Sequence, residues 1–261
     1  MKFIDIHSHI AWDIDDGMDT KEHAIEALKS AANDGIKRII STPHFVPGSQ
    51  EKNEVELMQK RMHELKELGK QYSIEIYTGC ELFLNDSYLD MIQKGLVCPL
   101  ANSSYLLCEY DVRKDITHNL DANDKLYEIS VQNYRPVIAH VERYFHNEID
   151  LAMVREWVEN GYVVQVNRSS LVGIHGKQIK KNALKLINEG LVHVVASDAH
   201  RAKGARVEML SDAYEIVKEI VGQNNADLLF YRNPMHILQN EEIENMEVIK
   251  RKSWLHRLMR R

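Results

Sequence analysis

The sequence predicts an α/β fold in which about seven parallel strands alternate with helices, closed into a barrel or covered by helices on both faces. Two observations carry this prediction. Short apolar segments typical of buried strands alternate with longer segments whose apolar residues recur at helical spacing, and glycine follows several of the helical segments. The chain has 261 residues, of which 44% are hydrophobic, so one large domain can bury a complete core.

The N-terminal β-α-β unit sets the pattern for the rest of the chain. Residues 3–6 form a short apolar strand. Asp19 is followed by Glu22 at the spacing of a capping box, which predicts the start of a helix, and Gly35 predicts its end. Residues 36–41 are apolar enough for a second, buried strand.

The same alternation continues to the C-terminal region. We predict further strands at residues 74–78, 104–108, 136–139, 162–166 and 192–197, and helices at residues 51–68, 88–93, 126–131, 151–159, 177–188 and 206–221. Gly69, Gly161 and Gly190 predict the ends of three of these helices. No low-complexity linker divides the chain, so we expect one barrel domain at residues 1–240 and a basic, helical C-terminal tail at residues 241–261.

Possible metal ligands stand at the ends of the predicted strands. They are His7, His9, His44, Glu81, Glu109, His140, Asp198 and His200, and Asp16 follows shortly after the first strand. In a parallel barrel all carboxyl ends of the strands open onto one face, so these residues would meet in one cleft. Taken singly, the His-x-His pair or either glutamate fits an ordinary surface position, and His140 fits a hydrogen-bonded core histidine. Their recurrence at six of seven strand ends favours a metal site.

The chemistry of this residue set narrows the metal and the reaction. Nitrogen and oxygen ligands favour Mn²⁺, Fe or Zn²⁺ over Cu(I) or an iron–sulfur cluster, and nine candidates suggest two or three ions. Such a centre hydrolyses substrates by lowering the pKa of a bound water. Arg143 and Arg206 are candidates for binding phosphate, because the guanidinium fork matches phosphate oxygens; each alone also fits a surface salt bridge.

Charge and apolar pattern exclude several classes of protein. The net charge is −6, and without the six positive charges of residues 250–261 the remainder carries about −12, which argues against a nucleic-acid partner. We find no apolar h-region of a signal peptide and no membrane-spanning run, and expect a cytoplasmic protein. The basic tail, in which apolar residues are interleaved, fits a peripheral contact with an anionic membrane or an acidic partner; it equally fits a solvated, frayed helix.

The cysteines argue against two further kinds of chemistry. Cys80, Cys98 and Cys108 form no CxxC pair, so neither a disulfide scaffold nor a thiolate zinc site is indicated. A cysteine-dependent phosphatase needs an arginine six positions after its nucleophile. The residues at those positions are Asp86, Ser104 and Lys114.

Several motifs together resemble the PHP (polymerase and histidinol phosphatase) superfamily, and more narrowly the manganese-dependent protein tyrosine phosphatases of Gram-positive capsule and exopolysaccharide loci. The matching motifs are His7-Ser8-His9-Ile10, Ile14-Asp15-Asp16-Gly17, Thr42-Pro43-His44, Gly79-Cys80-Glu81, His140-Val141-Glu142-Arg143 and Ser197-Asp198-Ala199-His200. The similarity extends to about residue 234, and Ile-Asp-Asp-Gly is its most specific part. It implies a distorted (β/α)7, TIM-like barrel with three metal ions at the carboxyl ends of its strands.

The resemblance also implies a role for each candidate. The first ion would be bound by His7, His9, Glu81 and Asp198, the second by Glu81, Glu109 and His140, and the third by Asp16, His44 and His200. Arg143 and Arg206 are similar to the phosphate-binding arginines. Where this family commonly has Pro-Gly, the chain has Trp12-Asp13, so the loop that follows the first strand is expected to differ.

The function implied is hydrolysis of phosphotyrosine by direct attack of a metal-bridging hydroxide, on a protein substrate such as a bacterial tyrosine autokinase that controls capsule or exopolysaccharide synthesis. Two alternatives stay open. One is a small-molecule phosphatase similar to histidinol phosphatase, and the other is a non-catalytic, metal-stabilised regulatory module. The sequence leaves the oligomeric state and the physiological metal open.

Overall fold

The computed structural model describes residues 2–48 and 52–247. Within these ranges the strands are β1 Phe3–Ser8, β2 Ile36–Ser41, β3 His44–Phe45, β4 Glu75–Thr78, β5 Glu81–Phe83, β6 Tyr105–Glu109, β7 Arg135–Ile138, β8 Val163–Asn167 and β9 Val194–Ala196. The helices are α1 Lys21–Asp34, α2 Lys52–Gln71, α3 Tyr88–Gln93, α4 Ala122–Val131, α5 Leu151–Glu159, α6 Arg168–Val172, α7 Lys177–Glu189, α8 Ser211–Asp227 and α9 Asn233–Gln239. A π-helical turn, Leu228–Arg232, joins α8 to α9.

All paired strands run parallel, in the orders β1-β2-β4 and β3-β5-β6-β7-β8-β9. The dipeptide Thr42-Pro43 separates β3 from β2, and Gly79-Cys80 separates β5 from β4, so each pair of short strands continues along one line. All seven predicted strands are therefore present, two of them interrupted. A bridge between Ser8 and Ala199 joins the end of β1 to the segment after β9 and closes the sheet. The predicted distorted barrel is confirmed.

Apolar side chains fill the barrel and the layer around it. Ile4, Ile6, Leu107 and Val137 belong to a buried cluster to which most strands contribute and which fills the interior. A larger cluster packs the helices against the outer faces of the strands. The core therefore holds the strand ends in fixed positions at the face where the predicted ligands lie.

An irregularity in β1 turns its last residues. Ile4 and Ile6 face the interior, so strict alternation would point Ser8 inward and His7 outward. The register between β1 and β2 shifts between Asp5 and Ser8. Ser8 Oγ consequently donates a hydrogen bond to Glu208 Oε2 at 2.6 Å outside the barrel, and the side chain of His7 points to the centre of the strand ends. Such shifts commonly re-aim a side chain at an active site.

Three predicted helix starts were wrong. α4 begins at Ala122 instead of residue 126. α1 is capped by Thr20, whose hydroxyl accepts a hydrogen bond from His23 N at 3.2 Å, rather than by Asp19. α8 begins at Ser211 instead of residue 206. Its first amides donate to the carboxylate of Asp34, which lies at the end of α1. A cap supplied from so distant a part of the chain leaves no local sequence signal.

The predicted end of α2 was also wrong, since the helix continues through Gly69 to Gln71. A Cβ atom at position 69 would lie 2.6 Å from Cγ1 of Ile76 and 2.7 Å from the carbonyl oxygen of Ile74. Glycine at this position therefore allows the close approach of α2 to β4 and does not end the helix.

The C-terminal region is described only in part. Residues 241–247 have no regular secondary structure, and residues 248–261, with most of the predicted basic tail, lie outside the described ranges. The domain limits therefore stay a prediction. Among the described residues no helix is both long and apolar enough to cross a membrane. The cytoplasmic location likewise stays a prediction.

Candidate metal centre

The predicted ligands meet at the carboxyl ends of the strands, at the floor of a cavity of about 990 Å³. Those that line the cavity are Asp16, His44, Glu81, Glu109, His140, Asp198 and His200, together with Arg143 and Arg206. His7 and His9 are fully buried beneath this floor. The structure thus brings all eleven sequence-predicted site residues into one place.

Glu81 lies at the centre of this arrangement. Its Oε2 atom is 3.2 Å from His7 Nε2, 3.1 Å from His9 Nε2 and 3.2 Å from His44 Nδ1. Its Oε1 atom is 3.1 Å from His140 Nε2. Oε2 nevertheless makes no hydrogen bond of ordinary geometry. A buried carboxylate oxygen that faces several imidazole nitrogens is suited to binding a cation, because neutral imidazole and carboxylate are both metal ligands.

Four groups of side chains have ligand atoms close enough to share a metal ion. They are His7 with His9 and Asp198; His7 with Glu81 and His140; His44 with Glu81 and Glu109; and His9 with Asp16, His44 and His200. The ligand atoms within each group lie within 4.8 Å of one another. Glu81 is the carboxylate that two of these groups share, so the geometry fits adjacent ions joined by its two oxygens.

Three polar side chains outside the predicted set orient the ligands. Asp15 Oδ2 lies 2.7 Å from His9 Nδ1, and Gln165 Oε1 lies 3.2 Å from His7 Nδ1. Asn167 Nδ2, at the end of β8, donates to Asp198 Oδ2 at 2.6 Å. These contacts leave the Nε2 atoms of both histidines facing the centre, which is how supporting partners fix a ligand tautomer.

No role was predicted for Asp15 or Gln165 from the sequence. Asp15 belongs to the motif Ile14-Asp15-Asp16-Gly17, but only its neighbour Asp16 was predicted to be a ligand. Gln165 did leave a signal, because it is a fully buried polar residue among the valines of β8. A buried polar side chain in an apolar strand requires hydrogen-bond partners, and here they are His7 and the backbone amide of His140.

The electrostatics of the site mix buried acids and bases. Burial raises the pKa of the Glu81 carboxyl, but the charges of His7 and His44 outweigh it and hold that pKa well below its usual value. Burial and the charge of Arg143 lower the pKa of His140, yet the carboxylates of Glu109 and Glu81 raise it to about 9. Protons on these imidazoles therefore balance charge that a bound cation would otherwise balance.

Both predicted arginines reach the same ligand candidate. Arg206 Nη2 donates to Asp198 Oδ1 at 2.7 Å, and Arg143 Nη1 donates to Asp198 Oδ2 at 3.4 Å. Arg143 lies on the turn after β7, whereas Arg206 lies on the loop that follows His200. Two guanidinium groups from different segments of the chain thus line the cavity beside Asp198, where an anionic substrate would approach the candidate ligands.

The loop after β1 contributes the most exposed candidate. The Asp16 side chain is 66% exposed, and its Oδ1 lies 3.2 Å from His200 Nε2 and 3.4 Å from His44 Nε2. Arg201 holds this loop, since its Nη1 donates to the carbonyl oxygens of Asp16 at 2.6 Å and Gly17 at 2.8 Å. A side chain at Gly17 would collide with the His9 carbonyl oxygen at 2.3 Å, so the loop packs directly on the residue that follows β1.

Comparison with known proteins agrees with this geometry. Residues 3–239 match the sequence model of a family described as capsular polysaccharide synthesis, CpsB/CapC. The chain belongs to this family. Tyrosine-protein phosphatase CpsB of Streptococcus agalactiae serotype III is 32% identical over 92% of this chain and 100% of its own length. Tyrosine-protein phosphatase YwqE of Bacillus subtilis is 30% identical over 87% of this chain and 91% of its own length.

Solved structures extend the comparison to the fold of this CpsB/CapC member. One chain comes from crystal structures of YwqE from Bacillus subtilis and CpsB from Streptococcus pneumoniae, described as metal-dependent tyrosine phosphatases. It matches with a TM-score of 0.78 and 27% identity, over 95% of this chain and 100% of that one. A TatD-like protein from Archaeoglobus fulgidus matches with a TM-score of 0.51 and 14% identity over 89% and 99%, and shares only the barrel fold.

Proposed function

We propose that this protein hydrolyses phosphotyrosine in a protein substrate, and that the reaction takes place at the floor of the 990 Å³ cavity. By its family and its structural match it is a metal-dependent tyrosine phosphatase. The observation that carries the proposal is the convergence of two arginines on a buried set of imidazoles and carboxylates. Such a set binds metal ions and a phosphate group together.

The residues present fit two or three ions. We propose a first site at His7, His9, Glu81 and Asp198, a second at Glu81, Glu109 and His140, and a third at Asp16, His44 and His200. His7, His9 and Asp198 form one group of close ligand atoms, and the residues of the third site form another together with His9. The contacts of Glu81 Oε2 with His9 Nε2 at 3.1 Å and of Glu109 Oε1 with His140 Nε2 at 3.4 Å support the other two assignments. The proximity of His9 to the third group suggests that the first and third sites are adjacent. We propose Mn²⁺ as the metal, with Fe or Zn²⁺ as alternatives, because all donors are nitrogen or oxygen.

Ions bound in these sites would activate the attacking water and neutralise charge on the phosphoryl oxygens. The side chains of this chain have complementary tasks. Arg143 and Arg206 bind the phosphate oxygens through their planar forks and orient the phosphoryl group. Asp15, Gln165 and Asn167 hold the ligands in their productive orientation, so little reorganisation is needed as charge develops.

We further propose that the substrate is a tyrosine kinase that acts in capsule or exopolysaccharide synthesis. The description of the family supports the link to capsule synthesis. We also propose that the basic residues 250–261 contact an anionic membrane or an acidic partner near that kinase. Co-sedimentation with liposomes, for the whole chain and for a variant without these residues, tests the membrane contact. Equal partitioning of the two proteins would exclude it.

A phosphatase panel with metal analysis tests the central proposal. Purified protein should hydrolyse a phosphotyrosyl peptide, lose this activity with a chelator and regain it with Mn²⁺. Faster turnover of histidinol phosphate than of the peptide would contradict the protein substrate and favour a small-molecule phosphatase. Inactivity towards every phosphoester at full metal occupancy would favour a regulatory module.

A further inference from the structure

The wall above the metal centre has an apolar layer that the proposed ligands and arginines do not use. In β3 and β5, His44 and Glu81 face the cavity, while the next residues, Phe45 and Leu82, are buried in the core. The alternation then returns Val46 and Phe83 to the cavity wall. Each follows a proposed ligand by two positions.

Val46 and Phe83 line the same cavity, and the strand register places them on neighbouring strands at the same level. In the parallel pair of β3 and β5, His44 is opposite Glu81 and Phe45 is opposite Leu82, so extending the register by one residue places Val46 beside Phe83. Two residues of strand span about 6.6 Å, so this apolar layer begins roughly one side chain's length above the ligands. Val112, which follows β6, lines the same cavity.

We propose that Val46, Phe83 and Val112 form an aryl collar, a ring of apolar side chains that holds the phenol ring of phosphotyrosine while its phosphate lies on the metal centre. The inference rests on the proposed function and adds the residues that select an aryl phosphate over an alkyl phosphate. A phosphoserine or a small alkyl phosphate reaches the floor but leaves the collar without an apolar partner. A phenol ring fills it and presents its face or edge to Phe83.

The surroundings of the collar fit a substrate whose main chain lies beyond the phenol ring, on the side away from the metal centre. A second cavity of about 700 Å³ adjoins the first and shares Phe83, Asp111 and Arg113 with it. Most of its lining residues are polar or charged, which suits the backbone of a substrate chain beyond the ring. The cleft thus changes from charged floor to apolar collar to polar exit, in the order of phosphate, ring and main chain in a phosphotyrosyl protein.

The charged groups at the collar are already paired. Asp111 Oδ1 accepts from Arg113 Nε at 2.7 Å, and Asp111 Oδ2 accepts from Arg113 Nη2 at 3.0 Å. The fork of Arg113 neutralises this carboxylate, which would otherwise repel a phosphate on its way to the floor. The walls next to Phe83 therefore offer apolar surface and a closed ion pair.

The test compares Phe83→Ala with the wild type in the Mn²⁺-loaded protein. We expect kcat/KM for phenyl phosphate to fall by about tenfold and kcat/KM for methyl phosphate to change little. A tenfold change corresponds to the free energy of one aromatic contact and the apolar area that it buries. The leaving groups are identical for both proteins, so the change in the ratio reports the collar alone. Tyr127→Ala, which removes an aromatic ring that is 62% exposed on α4, is the matched control and should leave both rates unchanged.

Inhibitor binding separates the collar from catalysis. By titration calorimetry, Phe83→Ala should weaken phenylphosphonate about tenfold and leave methylphosphonate unchanged. This difference is measurable even if the wild type turns over no phosphotyrosine, so failure of the proposed function would not hide it. Equal losses for both phosphonates, or no loss for either, would overturn the collar. If Phe83→Ala does not fold, Val46→Ala gives the same test with a smaller side chain removed.

Discussion

The candidate metal centre has two regions that are built in different ways. The inner region consists of His7, His9, Glu81, His140 and Asp198, which are at most 1% exposed and lie on strand ends or directly after them. The outer region depends on Asp16, whose side chain is 66% exposed and whose loop has no regular secondary structure. Sheet register fixes the inner ligands, whereas individual side-chain contacts, above all those of Arg201, position the outer one. The inner region is therefore the rigid part of the site and the outer region the adjustable part.

Removing Glu81 should destroy the inner region. Glu81→Ala takes away the carboxylate shared by two of the four ligand groups, and we expect loss of most bound metal. Loss of a supporting residue costs about 10–100-fold, so loss of this bridging ligand should lower kcat by more than about 100-fold. Metal analysis and kinetics measure both effects, with Glu67→Ala on the surface of α2 as control. Wild-type metal content would contradict a bridging role.

Arg206 tests whether substrate binding can be separated from metal binding. Arg206→Ala should lower kcat/KM for a phosphotyrosyl peptide by about 100-fold, the effect of removing one preorganised charged donor, with metal content near wild type. The matched control is Arg155→Ala, which removes an arginine paired with Glu189 on the surface. If metal is lost together with activity, Arg206 acts mainly by holding Asp198, with which it forms a hydrogen bond.

Low pH should weaken metal binding by the inner region. In the metal-free protein the pKa of His140 is raised to about 9, so below that pH the ring carries a proton that a metal ion must displace. Metal affinity should therefore rise with pH up to about 9, by up to about tenfold per pH unit for each proton released. Titrating the metal at several pH values checks the slope. If the metal affinity stays constant from about pH 6 to about pH 9, no such proton is displaced.

A substitution in the outer region should reduce metal binding less than a substitution in the inner region. Arg201→Ala removes the donor to the carbonyl oxygens of Asp16 and Gly17, and the Asp16 loop should lose its fixed position. We expect about tenfold weaker binding of one metal equivalent and no change in the others, because the inner ligands keep their contacts. Lys203→Ala, in the same exposed loop, is the control. Loss of every equivalent would show that the two regions are not separable.

We expect the smallest effect on activity from a substitution of Cys108. It is fully buried next to the metal centre in β6, and its Sγ lies 3.3 Å from the carbonyl oxygen of Leu106. Cys108→Ser should leave kcat unchanged and lower the free energy of unfolding by about 1–3 kcal/mol, because a hydroxyl is buried in an apolar site. Denaturant unfolding and kinetics check this. Inactive but folded protein would implicate the thiol in the chemistry.

The same contrast explains what the sequence could predict. His44, Glu81 and Glu109 were placed correctly because a hydrophobic strand pattern and a parallel sheet determine where strand ends meet. The register shift that turns His7 inward depends on the pairing of β1 with β2. The hydrogen bond from Arg201 to the Asp16 carbonyl oxygen joins residues that are 185 positions apart in the sequence. Such contacts arise from tertiary packing and leave no periodic pattern in the sequence. The same holds for the hydrogen bonds from the first amides of α8 to Asp34.

The closure of the barrel gives the metal a second consequence. β1 and the segment after β9 meet where Ser197 Oγ donates to the carbonyl oxygen of His7, across 190 positions of sequence. An ion shared by His7, His9 and Asp198 would therefore cross-link the first and last strands of the sheet, as a disulfide staples a long loop. Metal occupancy and resistance of the barrel to opening would then be thermodynamically linked, and a cation bound for catalysis would also stabilise the junction between the two ends of the sheet.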